Sequence, residues 1–192
     1  MHFLLGAMAW VLAIALKRAL SPASQKITHN ILAQSGLRGA ISAMSELGIA
    51  AAIFVAPLSW SLSKIYMFGV GAAAAEFALL MQWRQHRRKA AKSWSEPLRF
   101  RAQFGVERLC ASLVHIGTRG LSFLAVSDHN LVAAAIALGS FALVDGVAAF
   151  GKLRGWSWTV PRTAYTYYLF VAAIGAATVV IFQVTYFTGP RA

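Results

Sequence analysis

Long apolar stretches alternate with short polar ones along the chain, at about residues 3–16, 39–57, 66–82, 109–126, 131–150 and 165–187. A helix rises 1.5 Å per residue and needs roughly 20 apolar residues to cross the hydrocarbon core of a bilayer, so the pattern predicts six transmembrane helices. In lipid a helix satisfies its own backbone groups, which short apolar β-segments do not. The first and third segments are short, because Lys17 and Arg18 end the first early and Lys64 sits just before the third. No basic residue precedes the apolar core of the first segment. Its charges follow that core, so it reads as a retained helix rather than a secretory signal.

Composition agrees with this pattern. Of 192 residues, 58% are hydrophobic and 12% charged, about half the charged fraction of a soluble domain. The expected fold class is all-α: one polytopic transmembrane bundle forming a single integral membrane domain over residues 1–192, with a C-terminal helix at about 165–187. There is no internal repeat and no low-complexity linker. The single cysteine, Cys110, excludes an intramolecular disulfide and a thiolate metal cluster, and reads as a small core residue.

The Lys and Arg residues orient the bundle. The first connection holds Lys17, Arg18, Lys26 and Arg38; the third holds Arg84, Arg87, Arg88, Lys89, Lys92, Arg99, Arg101 and Arg108; the fifth holds Lys152, Arg154 and Arg162. Fifteen of eighteen thus fall on one side of the alternation, and the positive-inside rule places those connections in the cytoplasm and both termini outside. The setting expected is a bacterial-type cytoplasmic (inner) membrane.

A net charge of +12 and the run WRQHRRKAAKSW, from Trp83 to Trp94, raise nucleic acid as a partner. A basic juxtamembrane loop explains the same residues through topology and anionic headgroups, and no nucleic-acid fold can be built around it. Arg84, Arg87, Arg88, Lys89 and Lys92 are therefore candidate lipid-headgroup contacts, and nucleic acid is not expected. The centre of this loop, Ala90-Ala91-Lys92, is read as a surface helix with Trp83 and Trp94 at the interface, ended by Pro97. Tyr165, Tyr167, Tyr168, Trp156 and Trp158 read as an aromatic belt on the cytoplasmic side. His29, His86 and His129 fall in connections, which argues against a bis-histidine haem.

Ionisable groups inside spans carry the functional information, since each costs a few kcal/mol at bilayer depth and turns to the bundle interior. They are Glu46, Glu76, His115, Arg119 and Asp145. Glu46, Glu76, His115 and Asp145 come from four segments and lie about 8–10 Å in from the basic side at 1.5 Å per residue, which predicts one polar cluster. Arg108, Ser112, His115 and Arg119 follow i, i+4, i+7, i+11 and form one stripe. Arg119 is deeper and needs a carboxylate among Glu46, Glu76 and Asp145. Such a set either fixes helix register or forms a site. Carboxylates with one histidine also suit a divalent metal, though one histidine is a poor zinc set.

At these residues the chain resembles the YhfC type of intramembrane metalloprotease, a relative of the CAAX-processing and bacteriocin-immunity proteases. GLRGAISAMSELGIAAAIF (36–54) resembles the family's glycine-led helix with Glu-Glu-x-Gly-Arg, and MFGVGAAAAEFALL (67–80) its Gly-x-Gly-His-Gly-Gly-x-Glu-Ala helix. ERLCASLVHIG (107–117) and ALGSFALVDGVAAF (137–150) resemble its Glu-Arg-x5-6-His and His-x3-Asp helices. The likeness spans about 36–150 and implies a CAAX-protease-like core there. It implies that the paired glutamates activate water and the histidines hold a metal for peptide hydrolysis at membrane depth.

This chain departs from the pattern where that chemistry lies. Ser45-Glu46 replaces the glutamate pair, Ile49 the arginine, Ala72 and Phe141 two histidines, and Ala73 and Ala74 two glycines. Glu46, Gly69, Gly71, Glu76, Glu107, Arg108, His115 and Asp145 are kept. The expectation is a noncatalytic pseudoprotease acting as an accessory or binding subunit beside another integral membrane protein and lipids, with no cofactor. Glu46 and Glu76 are catalytic remnants and His115 is a weak metal candidate. The alternatives are a surviving intramembrane metallopeptidase with a rearranged zinc site and a small-molecule, lipid or proton carrier.

Overall fold

The computed structural model describes residues 1–90, 98–157 and 160–189, and side chains outside 23–25 and 83–104. Among the described residues it is all-helical: α1 His2–Ile27, α2 Ile31–Phe54, α3 Leu62–Ala90, α4 Leu98–Ser127, α5 Leu131–Leu153 and α6 Pro161–Thr188. All six are long and apolar enough to cross a membrane.

Local chemistry sets several starts. Asn30 accepts hydrogen bonds from the backbone N–H of Leu32 and Ala33 at 2.9 and 3.1 Å, capping α2. Asn130 accepts from Ala133 at 3.0 Å and caps α5. Each satisfies donors that the first helical turn leaves open. Pro161 opens α6, where its missing N–H costs nothing. The α4–α5 turn is so tight that His129 takes a φ of 49°.

The observed helices exceed the apolar runs, and at three places this corrects the sequence expectation. α1 does not stop at Lys17 but continues through Pro22 to Ile27, because Lys17 finds a carboxylate within the bundle and need not exit to water. The basic stretch from Trp83 to Ala90 is the continuation of α3 rather than the start of a separate surface helix. Lys92, Trp94 and Pro97 lie outside the described residues, as do the side chains of Arg84, Arg87, Arg88 and Lys89. The C-terminal helix begins four residues earlier than the run at 165 suggests, at Pro161.

α4 is central, packing on α2, α3, α5 and α6, while α1 packs on α2 and α3. The contacts α1–α3, α3–α4, α4–α2 and α2–α1 close a four-helix ring. Small residues permit the close approaches. A Cβ on Gly6 of α1 would lie 1.9 Å from the Phe68 carbonyl oxygen, and one on Gly71 of α3 would lie 2.0 Å from that of Phe3. A Cβ on Gly69 would instead lie 2.9 Å from the Ile116 Cα of α4. The Gly69-Val70-Gly71 pair thus lets α3 seat tightly on two neighbours at once, the usual role of glycine where membrane helices meet.

At one end of the ring Phe54, Trp60, Phe68 and Phe123 form an aromatic cluster, with Phe54 centroids 4.8, 5.0 and 5.5 Å from Trp60, Phe68 and Phe123. Toward the other end the interior becomes polar.

Candidate functional site

Two helical stripes build the polar interior. On α4, Arg108, His115 and Arg119 share a face, and on α2 Ser35, Gly39, Ser42 and Glu46 repeat the same i, i+4, i+7, i+11 spacing. Arg119 is 1% exposed and Glu46 4%, so both charges are withdrawn from bulk solvent. Arg119 Nη2 donates to Glu46 Oε2 at 3.0 Å, which selects Glu46 from the three candidate carboxylates.

The other guanidinium arm fixes the histidine. Arg119 Nη1 lies 2.5 Å from His115 Nδ1. A guanidinium has only donors, so Nδ1 accepts and the imidazole proton resides on Nε2. That nitrogen lies 2.6 Å from Glu76 Oε2 and donates to it. The second oxygen of Glu76 accepts from Arg108 Nη1 at 2.8 Å, and Arg108 Nη2 donates to Glu107. The result is one continuous chain, Glu46–Arg119–His115–Glu76–Arg108–Glu107, crossing from α2 through α4 to α3 and back.

Asp145 on α5 belongs to a second group. Its Oδ2 accepts from Lys17 Nζ of α1 at 2.6 Å and also from the Ser42 hydroxyl of α2. The groups expected in one layer therefore split in two, yet both halves line one cavity of about 100 Å³ with Trp10, Phe141, Tyr167 and Tyr168. Tyr168 is buried and Tyr167 donates toward the Val144 carbonyl at 3.4 Å, so these two rings are cavity wall as well as belt. Trp158 lies outside the described residues.

Lys17, Trp10 and Ser42 were not singled out by sequence reasoning. A signal existed: Trp10, Ile14 and Lys17 fall at i, i+4, i+7 on α1, and all three line the cavity. Lys17 was hidden because a lysine after an apolar run looks like an exit to the headgroups.

Two positions that depart from the family pattern lie on the helices that build this site. Phe141, matched to a missing histidine, is buried with its ring 5.7 Å from that of His115. Ala72, matched to another, is fully buried on α3 one turn from Glu76. What stands here does not fit a zinc ion. Among the described residues no three His, Cys, Asp or Glu side chains are grouped as a metal requires. The free lone pair of His115 is directed at Arg119, a cation, and its other nitrogen carries the proton shared with Glu76.

Trp10 adds one unmatched donor. It is 3% exposed and its indole N–H has no partner among the described residues. A cavity of about 100 Å³ has room for roughly three waters at about 30 Å³ each. Compared with protein-family models, curated proteins and solved structures, the chain matches none of them.

Proposed function

We propose that this chain is a noncatalytic membrane protein, a degenerate relative of the YhfC-type intramembrane metalloproteases that acts as an accessory or binding subunit in a membrane assembly. The observation that carries the reading is the closed ion-pair chain. Glu46, Glu76 and Asp145 each hold a cationic side chain of this same molecule, and both nitrogens of His115 are engaged. A metal-dependent hydrolytic site needs an open metal position and a carboxylate free to take a proton from water; here Glu46 and Glu76 are instead held by Arg119 and Arg108. The convergence of Glu46, Glu76, His115, Phe141 and Asp145 on one cavity supports the resemblance in architecture, and Ala72 and Phe141 support the loss of chemistry.

The basic connections support a cytoplasmic placement of that end in a bacterial-type inner membrane, with both termini outside. The outer face of α1 exposes Leu4, Met8, Val11 and Leu12 at 57–63%, a surface suited to lipid or to another integral membrane protein. Purification of the full chain from its own membrane in mild detergent tests the reading: a stable integral-membrane partner supports it, and a strictly solitary protein refutes it.

The unmatched Trp10 donor supports a second reading, in which the cavity carries a small polar molecule or protons. A pH-dependent uptake assay in proteoliposomes, abolished by Glu76→Gln, would favour that reading over the first.

A further inference from the structure

Lys17 and Asp145 face two cavities at once. On one side is the central cavity, with the ion-pair chain from Glu46 to Glu107 in its walls. On the other is a wider cleft of about 530 Å³ between α1, α2 and α5 at the basic end of the bundle, whose lining residues Arg18, Pro22 and Lys152 are exposed. Among the described residues no other side chain lines both. The helices that carry the pair do not pack on each other, since α1 packs on α2 and α3, and α5 on α2, α4 and α6. The 2.6 Å contact therefore spans a gap between helices, with a space on either side of it.

The two partners are held differently. Asp145 is fastened from behind, because its Oδ2 also accepts from the Ser42 hydroxyl of α2. Lys17 sits on a four-carbon stem that can carry the ammonium toward the cleft without moving the helix. Both side chains are partly exposed, at 29% and 28%, and ion pairs of that kind are weak.

We infer that Lys17 and Asp145 form a gate, and that Lys17, swinging toward the cleft, admits water and small hydrophilic solutes from the aqueous phase into the central cavity. Behind the gate stand Glu46, Glu76, Arg108 and His115, a wall suited to such solutes. A second boundary faces the bilayer, where Tyr167 lines both the central cavity and a groove of about 450 Å³ between α5 and α6. Moving Tyr167 would displace packed aromatic neighbours, Tyr168 and Phe170, at 6.2 and 6.4 Å between ring centroids. Lys17 moves by rotating its own stem. The gate stands whether the chain is an accessory subunit or a carrier.

The test uses the full chain in phosphatidylcholine nanodiscs, with Cys110→Ala and a reporter cysteine at Ala111, in the wall of the central cavity. 2-Aminoethyl methanethiosulfonate is added, and the labelling rate is read by mass spectrometry. With the pair intact, labelling is slow. Lys17→Gln and Asp145→Asn each speed it about fivefold, the worth of a part-exposed ion pair, and together no further, because both remove the same contact. The two variants change the local charge in opposite senses, so attraction of the cationic reagent does not explain a shared acceleration. Tyr167→Leu leaves the rate unchanged. Acceleration by Tyr167→Leu as large as that of the gate variants would assign entry to the bilayer side, and additive effects of the two gate variants would show that they do not act as one latch. Labelling with the pair intact as fast as at an exposed reporter at Ser59 would show a cavity already open. Equal acceleration of a reporter at Thr178, buried between α4 and α6, would mark general loosening. Each of these four results overturns the gate.

Discussion

Replacing Arg119 by methionine removes the guanidinium paired with Glu46 and the donor that fixes His115. The pair is 1% and 4% exposed with the charges 3.0 Å apart, so the orphaned carboxylate is left away from bulk solvent. Breaking one partner of a buried pair costs about 3–5 kcal/mol. Hydrogen bonds between membrane helices average only about 0.6 kcal/mol, which places this case at the lower end, near 3 kcal/mol. Arg119→Lys does not rescue, because an ammonium lacks the planar fork that serves Glu46 and His115 at once. Glu46→Leu combined with Arg119→Met removes both charges and restores stability to within about 1–2 kcal/mol of wild type. Reversible unfolding in mixed dodecylmaltoside–SDS micelles, followed by tryptophan fluorescence, completes the cycle. If each single variant costs less than about 1 kcal/mol and the effects add to within about 0.5 kcal/mol, the two side chains are not a coupled buried pair and the reasoning fails.

Other expectations concern packing, the second polar group and topology. Gly71→Leu forces a side chain into the Phe3 carbonyl and destabilises by about 1–3 kcal/mol, whereas Gly139→Ala, with nothing within 4 Å, is neutral or slightly stabilising in the same assay. Lys17→Met costs only about 1 kcal/mol, since Lys17 and Asp145 are 29% and 28% exposed and Asp145 keeps its Ser42 bond. In a Cys110→Ala background, a cysteine placed at Ser59 reacts with an impermeant maleimide added outside whole cells, and one at Ser157 reacts only after lysis; the reverse pattern would invert the proposed orientation.

Much of the architecture was legible because the membrane imposes a length on each segment and a price on each interior charge. Six runs gave six helices, and the depth argument brought Glu46, Glu76, His115 and Asp145 to one cavity. Pairing was less legible. Arg119 had three possible carboxylates, and only the packing of α4 on α2 chooses Glu46. Lys17 was misread because the sequence shows a lysine's position and not the depth its four-carbon stem allows it to keep. Helix ends were blurred for a related reason: α1, α3 and α4 continue into polar sequence where hydropathy no longer reports the helix. What covers the outer face of the bundle was not legible at all, since exposed leucines look the same whether lipid or protein lies against them.

Zinc content is the most direct test of the central claim. The full chain, purified after growth in zinc-supplemented medium and dialysed without chelator, is measured by inductively coupled plasma mass spectrometry beside His115→Ala. A closed network of Glu46, Arg119, His115, Glu76 and Arg108 predicts far less than one zinc per chain in both. About one zinc per wild-type chain, lost in His115→Ala, would contradict it and restore an intramembrane metallopeptidase.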